Sequence, residues 1–317
     1  MNDTDPPPAR TSAPTSPVEI GVRLPTSDPF GTGAFPVVDT ATRADAAGLD
    51  AVWIGDHLSF HAPMLDSLVT LGAVAASTTR TRVGLAVLLA ALREPVALAK
   101  QLATLQILSG GRLQLGIGVG GENPAEWAAA GVPTTERGRR TDVLLDALPD
   151  LLAGRPVDLP PPYDRSVPAL TPAVAAPRLL IGGRSDAALR RTVRHDADWL
   201  AIWASADRVR RARERLDELA VGARRPRVVL DVFVAPGATA EDRTEGEQFL
   251  ARTYGAAAAP AVARHLLDGS PDAVATALTV LHVAGADAFV LTPAALDPLR
   301  ALDHVAAVVG RTREVLP

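Results

Sequence analysis

The sequence predicts a single α/β domain closed into a (β/α)8, or TIM, barrel, with an inserted proline-rich loop and a disordered N-terminal tail. Three observations carry this. From Val18 onward, short β-branched or aliphatic runs alternate with longer segments whose apolar residues recur at helical spacing, the mark of βα units. Eight such units can be counted, which favours closure into a barrel over an open doubly wound sheet, the structural alternative. Glycines stand where helices must stop and the chain return to the sheet, at Gly48, at Gly110 with Gly111, and at Gly285.

The strands are expected at residues 19–24, 51–54, 82–89, 113–119, 179–181, 199–203, 228–234 and 288–291. Helices follow each of them, at 36–47, 67–77, 95–109, 138–153, 186–195, 207–220, one long stretch at 240–284, and 299–309. Residues 154–177 break the alternation with Pro156, Pro160, Pro161, Pro162, Pro168, Pro172 and Pro177, and show little helical periodicity. They read as an inserted loop, either a lid over the site or a mobile segment. Residues 1–17 are acidic and proline-rich, with too little apolar surface to offset ordering entropy, so they are expected to be a disordered tail before a barrel spanning 18–317. They also lack the basic patch and apolar stretch of a signal peptide.

Composition narrows the classes of function. A hydrophobic fraction of 47% with 21% charged residues allows a large core, and an aromatic fraction of 4% means that this core is mostly Ala, Val and Leu. A net charge of −4 gives no positive field for nucleic acid. The absence of cysteine excludes disulfides, thiolate nucleophiles and cysteine-based metal or iron–sulfur sites, and suits a cytoplasmic home. The longest apolar run, 83–92, ends at Arg93, far short of the roughly 20 residues that cross a bilayer, so no membrane association is expected.

Three constellations carry chemistry. In AVWIGDH, Asp56 and His57 lie just beyond the second strand, on the catalytic face of a barrel. His57 can exchange a proton near neutral pH and a neighbouring carboxylate can orient it; the alternative is a turn in which Asp56 caps backbone N–H groups. In SGGRLQLGIGVGG, Gly116, Gly118 and Gly121 match G-x-G-x-x-G, yet Glu122-Asn123-Pro124 do not open a long helix at once. The better reading is that Gly118, Gly120 and Gly121 remove side chains where a strand end approaches a flat ligand, the alternative being a tight turn. In LLIGGRSDAALRR, Gly182, Gly183, Arg184 and Ser185 join a strand end to a helix start, which suits a phosphate, although Ser185 as a plain N-cap explains the segment almost as well.

Other motifs are missing. Neither a P-loop nor a G-x-S-x-G elbow is present, so nucleotide-phosphate and serine-hydrolase chemistry are unsupported. His57 and His61 are four apart, but without H-E-x-x-H or a third ligand no metal site is expected. Trp203 falls near the catalytic end of the sixth strand and, with His61, is a candidate for the substrate pocket.

These motifs, in this order, resemble the bacterial luciferase-like family of flavin- and deazaflavin-dependent oxidoreductases. The most specific section is TRVGLAVLLAALREPVALAKQLATLQILSGGRLQLGIGVG followed by GVPTTERGRRTD, with AVWIGDH, LLIGGRSDAALRR and ADWL in the expected places. The resemblance implies reduced FMN or the deazaflavin coenzyme F420 lying across the carboxyl ends of the strands. It implies a bulged third strand with a cis peptide near Ala86–Val87, a cofactor phosphate at Gly182, Gly183 and Ser185, and Asp56–His57 facing the reacting side of the ring. Sugar-phosphate dehydrogenases of the family place a glutamate directly after the glycine strand, where this chain has Gly121 with Glu122 one position later; that activity is not expected. The leading expectation is a monooxygenase that uses oxygen and FMN reduced by a separate flavin reductase on a small organic substrate. The runner-up is hydride transfer with F420, and the third is a non-catalytic flavin-binding barrel. A homodimer is expected from the resemblance. Gly183→Val is expected to weaken cofactor binding and leave the fold intact.

Overall fold

The computed structural model describes residues 18–316; the expected tail at 1–17 lies outside the described residues. The chain begins β1 (Glu19–Arg23), α1 (Val37–Ala46), β2 (Ala51–Ile54), α2 (Ser67–Ser77), β3 (Arg82–Leu88), α3 (Pro95–Leu108), β4 (Leu113–Ile117), α4 (Pro124–Ala129) and α5 (Arg137–Leu152). It continues β5 (Val157–Leu159), β6 (Arg165–Val167), β7 (Arg178–Gly182), α6 (Asp186–Arg194), β8 (Asp198–Ile202), α7 (Ala206–Leu219) and β9 (Val228–Val234). It ends α8 (Ala240–Tyr254), α9 (Ala259–Ala263), β10 (Leu266–Leu267), α10 (Pro271–Val283), β11 (Ala288–Pro293) and α11 (Pro298–Val315). The parallel order β1-β2-β3-β4-β7-β8-β9-β11 closes on itself through β11 and β1, so the sheet is a barrel and the open-sheet alternative is set aside.

Local chemistry explains most boundaries. Glu94 accepts from the Val96 and Ala97 N–H groups ahead of Pro95 at the start of α3, and Ser270 accepts from Ala273 N ahead of Pro271 at the start of α10. The expected single helix over 240–284 is instead α8, α9, β10 and α10. Gly255 (φ 83°) ends α8, Pro260 restarts the helix, and Gly269 (φ 112°) turns the chain out of β10, which adds to β9 at Phe233 and Val234. The inserted segment holds an antiparallel β5–β6 hairpin. It docks on α3, with Arg165 paired to Glu94, Lys100 donating to the Thr171 carbonyl and Gln106 to that of Ala175 at 3.1 Å. None of its residues lines the cavity at the barrel mouth, so here it is neither lid nor loose loop.

Two packed layers make the core. Between barrel and helices lie Leu, Val and Ala from both, as the composition requires. Inside the barrel one aromatic residue, Trp53, takes the space of several: its indole lies against Gly21 and Gly84 on the flanking strands, where any Cβ would overlap it. At the amino ends of the strands, Glu19 meets Arg82, Arg178 and Arg227, and Asp198 meets Arg178 and Arg224. Burial would raise both carboxyls, but these arginines hold them below the usual carboxylate range. Charge satisfied there serves stability, which leaves the opposite rim for function.

A further carboxylate ties α1 to the loop before β3. Asp45 accepts from Thr81 N at 2.7 Å, Arg80 N at 3.0 Å, and Thr79 N and Oγ1 at 3.1 Å. Burial would raise this carboxyl, but the Thr81, Thr79 and Arg80 amides outweigh it and hold the pKa at about 2. Asp45→Ala is expected to cost about 2–3 kcal/mol at neutral pH in urea unfolding. Because the folded pKa is depressed, the contribution is present above the unfolded value of about 4 and lost as pH falls towards about 2. A variant as stable as the parent at pH 7 would refute this.

Candidate active site

A cavity of about 270 Å³ opens at the carboxyl ends of the barrel strands. Asp56, His57, Ala86, Val87, Gly118, Gly120, Gly182, Gly183, Arg184 and Trp203 all line it. Ser185 and His61 do not. Ser185 is exposed and its hydroxyl accepts from Ala188 N at 3.4 Å, the plain N-cap reading. His61 is exposed, sits edge-on to Phe60 and lies against Gly255, so it does not converge with His57. Among the described residues no cluster of three His, Cys, Asp or Glu could hold a metal.

His57 is positioned by a carboxylate, but not by Asp56. Both oxygens of Glu126 lie 3.2 Å from His57 Nδ1, and Glu126 also accepts from Leu58 N at 3.1 Å. Glu126 is fully buried on α4, whose start is set by Asn123 and Pro124, and Asn123 Nδ2 donates to the Ser59 carbonyl at 2.8 Å. A carboxylate only accepts, so Nδ1 carries the proton and Nε2 is left to accept from, or when protonated donate to, a ligand. Phe60 stacks on the ring at 4.0 Å between centroids. Asp56 is structural: it accepts from Leu89 N at 2.9 Å, Ser67 Oγ at 2.7 Å and Arg93 Nη2 at 2.6 Å, pinning the end of β2 to β3 and α2. The Asn-Pro pair followed by a glutamate at the third helical position marks a helix start, but nothing local ties Glu126 to His57.

The glycines act differently from their sequence reading. The Ala86–Val87 peptide is cis, and β3 shifts register against β4 between Leu85 and Leu88. The Val87 side chain then lies over the end of the barrel between Gly118 and Gly182, where a Cβ on either glycine would overlap it. Gly118 and Gly182 therefore make room for Val87, which lines the cavity beside them. Gly183 has φ 132°, and its Cβ would meet that of Ala188 at 3.0 Å. Valine there would strain the backbone, so the expectation of an intact fold is withdrawn.

Under the cavity Arg23 donates to Ala86 O at 2.5 Å, to Thr292 Oγ1 at 3.1 Å and to Asp231, which also accepts from Thr292 Oγ1 at 2.5 Å. Burial would lower the Arg23 guanidinium, but Asp231 and the Tyr254 phenol raise it, and burial pushes that phenol well up. Arg23 closes β1 and Asp231 is the one charged residue within the apolar β9, but no local signal in the sequence pairs them. At the β7–α6 side, Arg184 lies 5.2 Å from the centroid of the Trp203 ring, and Arg208 donates to the Arg184 carbonyl. Burial pushes the His265 imidazole down, and the charges of Arg264 and Arg184 push it further the same way. Among the described residues, none of Arg184, Arg208 and Arg264 pairs with a carboxylate, and Trp203 Nε1 is a buried donor without a partner. Arg184 and the orphan Trp203 donor on the cavity wall, with the unmatched Arg208 bonded to the Arg184 carbonyl, fit an anionic, ring-bearing cofactor.

Comparison with known proteins agrees. A 111-residue stretch is 40% identical to an F420-dependent glucose-6-phosphate dehydrogenase of Kineococcus radiotolerans, covering 33% of this chain and 32% of that one. An F420-dependent secondary alcohol dehydrogenase, solved with an F420–acetone adduct, shares the fold at TM-score 0.79 and 15% identity over 94% of this chain and 99% of that one. The oxygenating component of 3,6-diketocamphane monooxygenase of Pseudomonas putida, solved with FMN, does so at TM-score 0.76 and 18% identity over 95% and 99%. No helix among the described residues is long and apolar enough to cross a membrane. Residues 19–288 match the family described as luciferase-like monooxygenase, whose members include flavin- and F420-dependent oxidoreductases, and the chain belongs to that family.

Proposed function

We propose that this protein is an F420-dependent oxidoreductase acting on a small organic substrate, the runner-up of the two enzymatic expectations. The observation that carries it is Arg184 on the cavity wall, with Arg208 bonded to its carbonyl and Arg264 nearby, none of them paired with a carboxylate among the described residues. FMN brings a single phosphate of at most about two negative charges, which leaves part of this charge unmatched, whereas F420 adds carboxylates beyond its phosphate. The F420-dependent relative supports the same choice. When bound, the deazaflavin supplies a two-electron ring that gives or takes a hydride. The chain would supply the rest: Val87 lines the cavity floor, Arg184 with Arg208 beside it would hold the anionic tail, and His57 Nε2 would take or give the proton. This reading needs neither oxygen nor a flavin reductase.

Absorbance titration of the purified protein with F420 and with FMN tests it. F420 is expected to bind at least about tenfold tighter, with affinity falling as salt rises. Arg184→Ala and Arg208→Ala should each weaken F420 by about tenfold or more, the loss of one charge-assisted contact. Tighter binding of FMN, or arginine variants with unchanged F420 affinity, would overturn the proposal.

A further inference from the structure

A second cavity, of about 140 Å³, lies beside the first under the β1–α1 loop. The two share Arg23, Ser27, Met64, Thr253 and Tyr254 as a common wall. We propose that this second cavity is the substrate chamber and that it selects uncharged molecules with a compact apolar body and a single hydrogen-bonding group. The proposal rests on the deazaflavin reading only for where the reacting end of the substrate must lie.

Leu24, Phe30, Phe233, Phe249 and Leu302 supply apolar walls, and the rings of Phe30 and Phe249 pack at 6.3 Å. The charged groups facing the chamber are already engaged. Asp28 accepts from Gly33 N at 2.6 Å, Thr32 N at 3.0 Å and Thr32 Oγ1 at 3.2 Å, and Arg23 is paired with Asp231. The single lysine of the chain, Lys100, lies elsewhere on α3. A phosphate or carboxylate entering the chamber would shed its hydration without meeting a counter-ion, which is strongly unfavourable.

The polar atoms left over stand at the junction with the cofactor cavity. Thr253 Oγ1 is buried without a partner, and the Tyr254 hydroxyl enters no hydrogen bond among the described residues. Burial keeps that phenol protonated and so a donor. Phe60 spans from there to His57: it stacks on His57 at 4.0 Å and meets Tyr254 edge-on at 5.8 Å. A substrate whose apolar body fills the chamber thus presents its hydroxyl or carbonyl to the cavity that holds His57. A sugar phosphate, the substrate named for the Kineococcus relative, is the opposite kind of molecule.

The test uses Met64, which lies in the shared wall and is one of only two methionines, the other being Met1. The full chain, labelled with 13C at its methionine methyls, is titrated without cofactor with cyclohexanone, 2-adamantanone and cyclohexanecarboxylate. At least one ketone is expected to shift the Met64 signal saturably, and the carboxylate to bind at least about tenfold more weakly. Ala34→Trp adds a side chain at the exposed rim of the chamber, outside the core, and should weaken ketone binding about tenfold with an unchanged melting temperature. If neither ketone moves Met64, if the carboxylate binds as tightly, or if folded Ala34→Trp binds like the parent, the proposal falls. F420 titration of the same preparation reports separately: its failure sinks the deazaflavin reading and leaves the Met64 result standing.

Discussion

Replacing His57 by alanine is expected to lower turnover by about 10²- to 10⁴-fold, the range for a positioned acid–base group, with little change in F420 affinity or melting temperature. Glu126 acts through His57, so its loss should read differently. In Glu126→Ala the proton is no longer held on Nδ1, and 15N NMR of the imidazole should show the neutral ring moving towards the Nε2–H tautomer, with turnover falling and the pH profile changing shape. Glu126→Gln keeps one acceptor on Nδ1–H and should restore part of the loss. Full activity in His57→Ala, or an unchanged tautomer in Glu126→Ala, would remove this pair from the mechanism.

The largest effect on stability is expected at Trp53. Removing its indole empties the space it shares with Gly21 and Gly84 inside the barrel, and Trp53→Ala should cost about 3–5 kcal/mol in denaturant unfolding. The companion test is a double-mutant cycle. Gly84→Ala alone should be destabilising, because its Cβ overlaps the indole, whereas in the Trp53→Ala background the same change should be nearly neutral or stabilising. Additive costs would show that the two residues do not contest one space.

How much could be read from the chain differs between frame and site. The barrel strands were legible to within two residues at each end, because continuous apolar runs bounded by glycine and proline are a local signal. The α8–α10 region was not: β10 has two residues, and apolar spacing runs through its flanks. Asp56, His57 and the strand-end glycines followed from the frame, since a barrel carries its chemistry there, whereas Ala86 and Val87 came only from the family resemblance. His57 could be named, but its partner could not, because Glu126 is 69 positions away, and Arg23 meets Asp231 across 208. Gly118 and Gly182 were noticed for the right property, absent side chains, but Val87 as the neighbour that takes the space could not be read, because nothing local shows what occupies it.

The joining of Leu58 and Ser59 to Glu126 and Asn123 also bears on how this barrel can be recombined. Barrels are often treated as a fixed frame with exchangeable βα loops, each transferable by itself. Here the loop after β2 and the short helix after β4 form one structural unit: the first carries the imidazole, the second the group that decides which nitrogen is available. A chimera that imports either segment alone would keep the barrel and every strand-end residue, yet receive a histidine set for different chemistry. Crossover points that preserve function must therefore lie outside both loops, with the intervening β3 and its Val87 travelling with them.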